Sequence, residues 1–243
     1  MTGSTPAVFI PGLAGHAAEF DAVADGWTDG PTLRLDPFYG EPSIAGQAAR
    51  VAAAAQRAGF ARYLVVGHSQ GGLVALELAK AGPDSIAAVG IVDAPILVPA
   101  PVRAAMTAFA ALLRTPLGPA LLRAFFRATF AEADGHGHRA DVMARLAAIP
   151  HADARRLVRA TFRYPAREAI ADLTVPAAYI RANIPTPLDR LPAGVRGYDL
   201  SGAGHWVHLH HPQQVTTALR ELVTATGSAA AGIPTATPSC RRT

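Results

Sequence analysis

Five residues constrain this chain more than any others: Gly67, His68, Ser69, Gln70 and Gly71. An apolar run, Tyr63-Leu64-Val65-Val66, precedes them, and a helical pattern over residues 72–80 follows. Strand, G-x-S-x-G and helix in that order is the context in which the motif carries meaning. The chain must turn so sharply at the serine that only glycine fits two residues to either side. The Ser69 hydroxyl then stands at the carboxyl end of a strand, over a helix N-terminus. There the backbone N–H of Gln70 meets any negative charge that develops. Ser69 reads as a nucleophile.

The surrounding pattern fits that placement. Pro6-Ala7-Val8-Phe9-Ile10 reads as a buried strand that ends at Pro11-Gly12-Leu13-Ala14-Gly15, a loop built for close backbone approach. Helical sequence follows over residues 16–27, then a strand at Thr32-Leu33-Arg34-Leu35 and an Ala-rich helix from Pro42 to Ala58, stopped by Gly59. After the nucleophile segment, residues 86–92 form another apolar strand ending at Asp93. Apolar strands alternating with helices define an α/β protein with a mostly parallel sheet covered on both faces. From residue 95 to 172 the alternation stops. Helical pieces at 102–113, 117–130, 140–149 and 152–162 replace it, and no strand is expected. Strands return at 177–180 and 197–200, and a last helix spans 212–223. The remaining residues, 225–243, are Ala, Gly, Thr, Ser and Pro with little to bury and read as a disordered tail.

Composition removes several function classes. A chain of 243 residues suffices for one well-buried domain, and no apolar run approaches the ~20 residues of a membrane helix. The start, Met1 to Pro6, lacks the basic and apolar segments of a secretory signal, so a cytoplasmic protein is expected. The sole cysteine, Cys240, permits neither a disulfide framework nor a cysteine metal site. Net charge is only +4, carried by 21 arginines and Lys80 without a nucleic-acid motif or stacking aromatics, so no nucleic-acid partner is expected. His205, His208, His210 and His211 lie where a loop enters a Pro-initiated helix, without the converging ligands of a metal site. No metal or organic cofactor is expected.

Three motifs resemble those of the α/β-hydrolase superfamily, and the resemblance covers nearly everything but the tail. Ile10-Pro11-Gly12-Leu13-Ala14-Gly15 resembles its oxyanion loop, with Pro11 where many members have histidine. Gly67-His68-Ser69-Gln70-Gly71 resembles its nucleophile elbow, and Gly202-Ala203-Gly204-His205-Trp206 the loop that carries its catalytic histidine. The resemblance implies a sheet of about six strands, a core of residues 1–94 and 173–224, and a helical cap at 95–172. It implies Ser69 as nucleophile, His205 as base and the backbone N–H groups of Leu13 and Gln70 as oxyanion donors. His16, His68 and Trp206 become candidates for the pocket wall.

Asp93 is the expected acid of such a triad, with Asp189 as the alternative. Many members carry it after the strand that follows the cap, but that stretch here is Ile180-Arg181-Ala182-Asn183-Ile184-Pro185, with Asp189 as the next carboxylate. A minority place it at the end of the strand after the nucleophile helix, where Asp93 stands. The implied activity is hydrolysis of an ester, thioester or related acyl bond of a small molecule through an acyl-enzyme. Alternatives on the same scaffold are a lyase, a C–C bond hydrolase, a cofactor-free oxygenase, or a receptor that retains the triad. Haloalkane dehalogenase and epoxide hydrolase chemistry use aspartate where Ser69 stands. The cap segment carries eleven arginines against six acidic residues, and Arg155, Arg159 and Arg163 recur every four residues with Arg156 beside them. An arginine stripe over the site entrance, recruiting an anionic substrate, is the expectation.

Overall fold

The computed structural model describes residues 4–230. Its strands are β1 (Ala7–Ile10), β2 (Thr32–Arg34), β3 (Tyr63–His68), β4 (Ile86–Val92), β5 (Ala177–Arg181) and β6 (Val195–Asp199). They form one six-stranded sheet, ordered β2-β1-β3-β4-β5-β6, with every pairing parallel. The central strands are apolar on both sides because both faces are covered. Ala7, Phe9, Leu64 and Val66 point to one face, while Val8, Ile10 and Val65 alternate to the other.

Among the described residues, ten α-helices accompany the sheet: α1 (Asp21–Gly26), α2 (Ile44–Arg57), α3 (Gln70–Ala81), α4 (Ala100–Leu112), α5 (Gly118–Thr129), α6 (His136–Ala148), α7 (His151–Arg163), α8 (Ala166–Ala171), α9 (Val207–His210) and α10 (Pro212–Ala230). Val23 of α1 and Leu219 of α10 pack on one face of the sheet, and Val51 of α2, Leu73 of α3 and Ile170 of α8 on the other. Ser43 caps α2, accepting the N–H of Gly46 at 3.0 Å. Helices α4 to α7 build a separate apolar cluster around Leu113, Phe126, Val142 and Leu146, which closes onto Ala14 and Trp206 of the sheet's loops. No strand interrupts residues 95–172.

Two details differ from the sequence reading. Residues 166–171 form α8, a six-residue helix too short to show a periodic pattern. α10 continues to Ala230, so residues 225–230 belong to that helix, favoured by its alanines; the rest of the expected tail, 231–243, lies outside the described residues.

The chain leaves β1 for β2 on one side, then crosses back to place β3 on the other side of β1. This reversal opens a crevice at the carboxyl ends of β1 and β3, the position where open parallel sheets hold ligands. The loops after those two strands, residues 11–15 and the turn at Ser69, are therefore neighbours by topology. Their contact is too close for side chains. A Cβ on Gly67 would lie 2.0 Å from the carbonyl oxygen of Gly71, and one on Gly71 would lie 2.3 Å from that of Ile10. Gly67→Ala should therefore cost about 2–3 kcal/mol, the upper range for overpacking. Gly40→Ala, where a Cβ meets nothing within 4 Å, should stay within about 0.5 kcal/mol of the parent. Urea unfolding of both variants makes the comparison, and equal midpoints would refute the tight elbow.

Candidate active site

Ser69 adopts φ 53° and ψ −118°, a backbone conformation that costs a non-glycine residue of order 1–3 kcal/mol. The surroundings hold it there. Its N–H donates to the carbonyl of Val92 at 2.9 Å, and its own carbonyl accepts from Gly72 at 3.0 Å. The side chain enters a cavity of about 270 Å³ whose walls also include Gly12, Leu13, Gln70, His205 and Trp206. The rest of the lining is mainly apolar: the helical insertion supplies Val102, Met106, Phe125, Phe126, Val158 and Phe162, and the loop after β5 adds Asn183, Ile184 and Pro185.

His205 lies in the loop after β6, and its Nδ1 donates to Asp93 Oδ2 at 2.7 Å. Asp93 is fully buried at the end of β4, with φ 43°. Its other oxygen, Oδ1, accepts three backbone N–H groups, from Ala182 (2.9 Å), Asn183 (3.0 Å) and Ile184 (2.9 Å). A buried carboxylate is tolerated only when its acceptor sites are filled, and four donors fill them here. The loop after β5, which lacks an acid of its own, supplies donors to Asp93 instead. Asp189 lies exposed in a 3-10 turn (Leu188–Arg190) and takes no part in the cavity. Of the two candidate carboxylates, only Asp93 meets His205. Ser69 and His205 share the cavity without a hydrogen bond between them.

His68 and Trp206 do line the cavity, whereas His16 does not. His16 stands half-buried before a 3-10 turn (Ala17–Phe20), with burial and the nearby Arg145 lowering its pKa. His68 Nε2 donates to the carbonyl of His205 at 2.9 Å, so it positions the loop that carries His205. The remaining histidines diverge. His208 is buried against Phe20, at 4.5 Å between ring centres, while His210 Nε2 pairs with Asp134 Oδ1 at 2.7 Å.

A buried cluster beside the loop of residues 11–15 carries no signal in the sequence. Glu19, His68 and His208 present donor atoms within 4.8 Å of one another. Zinc–nitrogen bonds near 2.1 Å would bring tetrahedral ligands to about 3.4 Å apart. Glu19 Oε2 and His208 Nε2 stand 4.0 Å apart, and Arg145 already contacts the other Glu19 oxygen at 3.2 Å. Spacing and charge both disfavour a dication. Burial raises the Glu19 pKa to about 7 against the pull of Arg145, and it lowers His68 and His208 well below their usual value.

The cavity also leaves the arginine stripe outside. Arg159 and Arg163 line a different groove, with Arg156, between α7 and the α2–α3 side, and Arg155 lines neither. The face of α7 that looks into the cavity carries Val158, Thr161 and Phe162. Four-residue spacing brings Arg159 and Arg163 to one groove, but it does not bring Arg155 there, and it does not fix the direction in which the stripe points.

Residues 7–218 match the Alpha/beta hydrolase family, and the chain belongs to that family. The fold is shared with the malate-bound thermophilic esterase from Thermogutta terrifontis (TM-score 0.73, 16% identity, 92% of this chain and 90% of that one). It is shared equally with the enol-lactonase from Burkholderia xenovorans LB400 (TM-score 0.74, 18% identity, 91% and 92%) and the epoxide hydrolase CorEH (0.72, 18%, 91% and 92%). No curated protein matches significantly. Among the described residues no helix is long and apolar enough to cross a membrane.

The buried cluster sets a pH dependence of stability. His68 and His208 are held below their usual 6.5, so under that pH the unfolded chain binds protons that the native state refuses, and stability falls with acidification. Glu19 acts oppositely. Its native form keeps a proton that the unfolded chain, at about 4.5, has released, so its contribution is lost as pH rises toward 7. Two histidines outweigh one glutamate between pH 4.5 and 6.5. The melting temperature should drop from pH 7 to pH 5, and more steeply in Glu19→Gln, which removes the opposing group. A Glu19→Gln profile flatter than the parent's would contradict this assignment.

Proposed function

We propose that this chain is a serine hydrolase that cleaves an ester, thioester or related acyl bond of a small molecule through an acyl-enzyme. The observation that carries the reading is the Asp93–His205 hydrogen bond at the wall of the cavity that Ser69 enters. A serine hydroxyl needs a base to take its proton as it attacks, and His205 Nε2 is free to do so because Nδ1 is committed to Asp93. Asp93 fixes the tautomer and stabilises the imidazolium that forms. The N–H groups of Leu13 and Gln70 receive the oxyanion, one from each side of the crevice between β1 and β3. The imidazolium then protonates the leaving group, and water attacks the acyl-enzyme with His205 again as base.

The apolar walls favour an acyl chain over a sugar or peptide polar surface. Helices α4 to α7 act as the cap of this pocket, within the segment 95–172. An esterase and an enol-lactonase are among the proteins that share the fold, which agrees with the reading. The epoxide hydrolase shares the scaffold, but the elbow here carries serine.

Ser69→Ala and His205→Ala should each abolish fluorophosphonate labelling and turnover of p-nitrophenyl esters while leaving the circular dichroism spectrum intact. Asp93→Asn should lower kcat by up to ~10⁴-fold, as loss of the orienting acid does in serine proteases, and Asp189→Asn should leave it within about twofold. Undiminished turnover in folded Ser69→Ala would end the proposal. Equal, small effects of the two aspartate changes would remove Asp93 from it.

A further inference from the structure

Arg159 and Arg163 line a groove of about 570 Å³ bounded by α7, the start of α2 and α3. Lys80 and Arg156 stand on the same walls. Arg156 pairs with Asp153. Among the described residues, Arg159, Arg163 and Lys80 have no ion-pair partner. Glu77 is the one acid in the lining, and it already accepts the Tyr164 hydroxyl at 3.0 Å. Like charges four residues apart on a helix repel, so Arg159 and Arg163 oppose each other unless an anion lies between them.

A smaller hollow of about 180 Å³ adjoins the groove, with Arg163, Tyr164 and Pro165 in the lining of both. That hollow adds Arg103 and Arg167 against Glu168, and it shares Met106, Thr161 and Phe162 with the wall of the Ser69 cavity. The surface of α7 thus passes from apolar to cationic between Phe162 and Arg163, within one helical turn. Arginine's planar fork matches phosphate oxygens in pairs, whereas a single carboxylate would leave most of this strip unmatched.

We propose that the strip holds a phosphate-bearing arm on the leaving group of the acyl donor. The substrate class is then an acyl ester or thioester of an organic phosphate, with the acyl chain in the cavity and the phosphates on Arg163, Arg159 and Arg103. This assignment rests on the serine-hydrolase reading for its chemistry, and on the groove alone for its anion.

The test uses one acyl group, butyryl, on three carriers. These are p-nitrophenol, N-acetylcysteamine, and coenzyme A, whose thiol bears a nucleoside diphosphate arm. At low salt, kcat/KM for the coenzyme A thioester should exceed that for the N-acetylcysteamine thioester by about tenfold or more, and the excess should shrink with added salt. Arg159→Glu combined with Arg163→Glu should bring the two thioesters level while leaving the p-nitrophenyl ester within about twofold, since both side chains are exposed and outside the cavity. ADP should bind by calorimetry to the parent and not to the double variant. Equal thioester rates in the parent, or ADP binding unaffected by the double change, would overturn the phosphate site, and Ser69-dependent ester turnover would still leave the hydrolase reading standing. Absence of all ester turnover, with ADP binding lost only in the double variant, would keep the phosphate site and remove the hydrolase.

Discussion

The site depends on one buried carboxylate. Asp93 closes β4, faces the loop after β5 with one oxygen and His205 with the other, and thereby ties three separate segments of chain together. Its backbone joins the same knot, since its N–H donates to Ile180 at 2.8 Å. A buried charge stripped of its partners costs about 3–5 kcal/mol, so none of these segments can leave without a large penalty. Tyr179 extends the arrangement. Its hydroxyl donates to the carbonyl of Ala94, 2.9 Å away, and meets Thr186 Oγ1 at 2.8 Å, which fixes the start of the insertion to the loop around Asp93. The positive φ of Asp93 belongs to the same device, as does that of Ser69: strain at two strand ends is held by hydrogen bonds made elsewhere.

Topology decides why these strand ends meet. In a parallel sheet all carboxyl ends lie on one edge, so β1, β3, β4, β5 and β6 deliver their following loops to the same side. The elbow follows β3, Asp93 follows β4, its three amide donors follow β5 and His205 follows β6. The strand order reverses between β1 and β3, which leaves room for the loop at Leu13 to face Ser69. A cavity with functional groups from five loops is a direct result of that edge. Adding the helical insertion between β4 and β5 then covers the groups with an apolar roof.

What the sequence disclosed follows from which interactions are local. Strand and helix alternation, the glycines at 67 and 71 and the start of α2 near Ser43 are set by neighbours along the chain, and the pattern showed them. The partner of His205 is a contact between residues 112 positions apart, and local pattern left Asp93 and Asp189 both open. What decides between them, the three amides of Ala182, Asn183 and Ile184, is backbone geometry that no side chain announces. Glu19 was invisible for a related reason: an acidic residue in a turn reads as solvated until burial is known, and here it is only 2% exposed. The arginine stripe shows the other limit. Spacing fixes which side chains share a face, but the rotation of α7 about its axis is fixed by Leu157 and Val158 packing inward.

The roof is not merely laid over the site. Gln70, whose N–H is one of the two assigned oxyanion donors, sends its side-chain Nε2 into α7, to Leu157 O at 3.1 Å and Thr161 Oγ1 at 2.6 Å. On the other side of the crevice, Arg145 of α6 donates through Nε to the carbonyl of Ala14 at 2.8 Å and through Nη2 to Glu19 at 3.2 Å. Ala14 is the residue after Leu13, the second assigned donor. Each of the two loops that would receive the oxyanion is thus anchored to a different helix of the insertion by a part-buried or buried hydrogen bond. A displacement of α6 or α7 therefore reaches the backbone beside Ser69 through one bond or two. On the proposed reading, substrate bulk that reshapes the apolar roof would also shift the amides of Leu13 and Gln70. In this fold, the apolar walls of the cavity and the two loops that meet beside Ser69 are mechanically one unit.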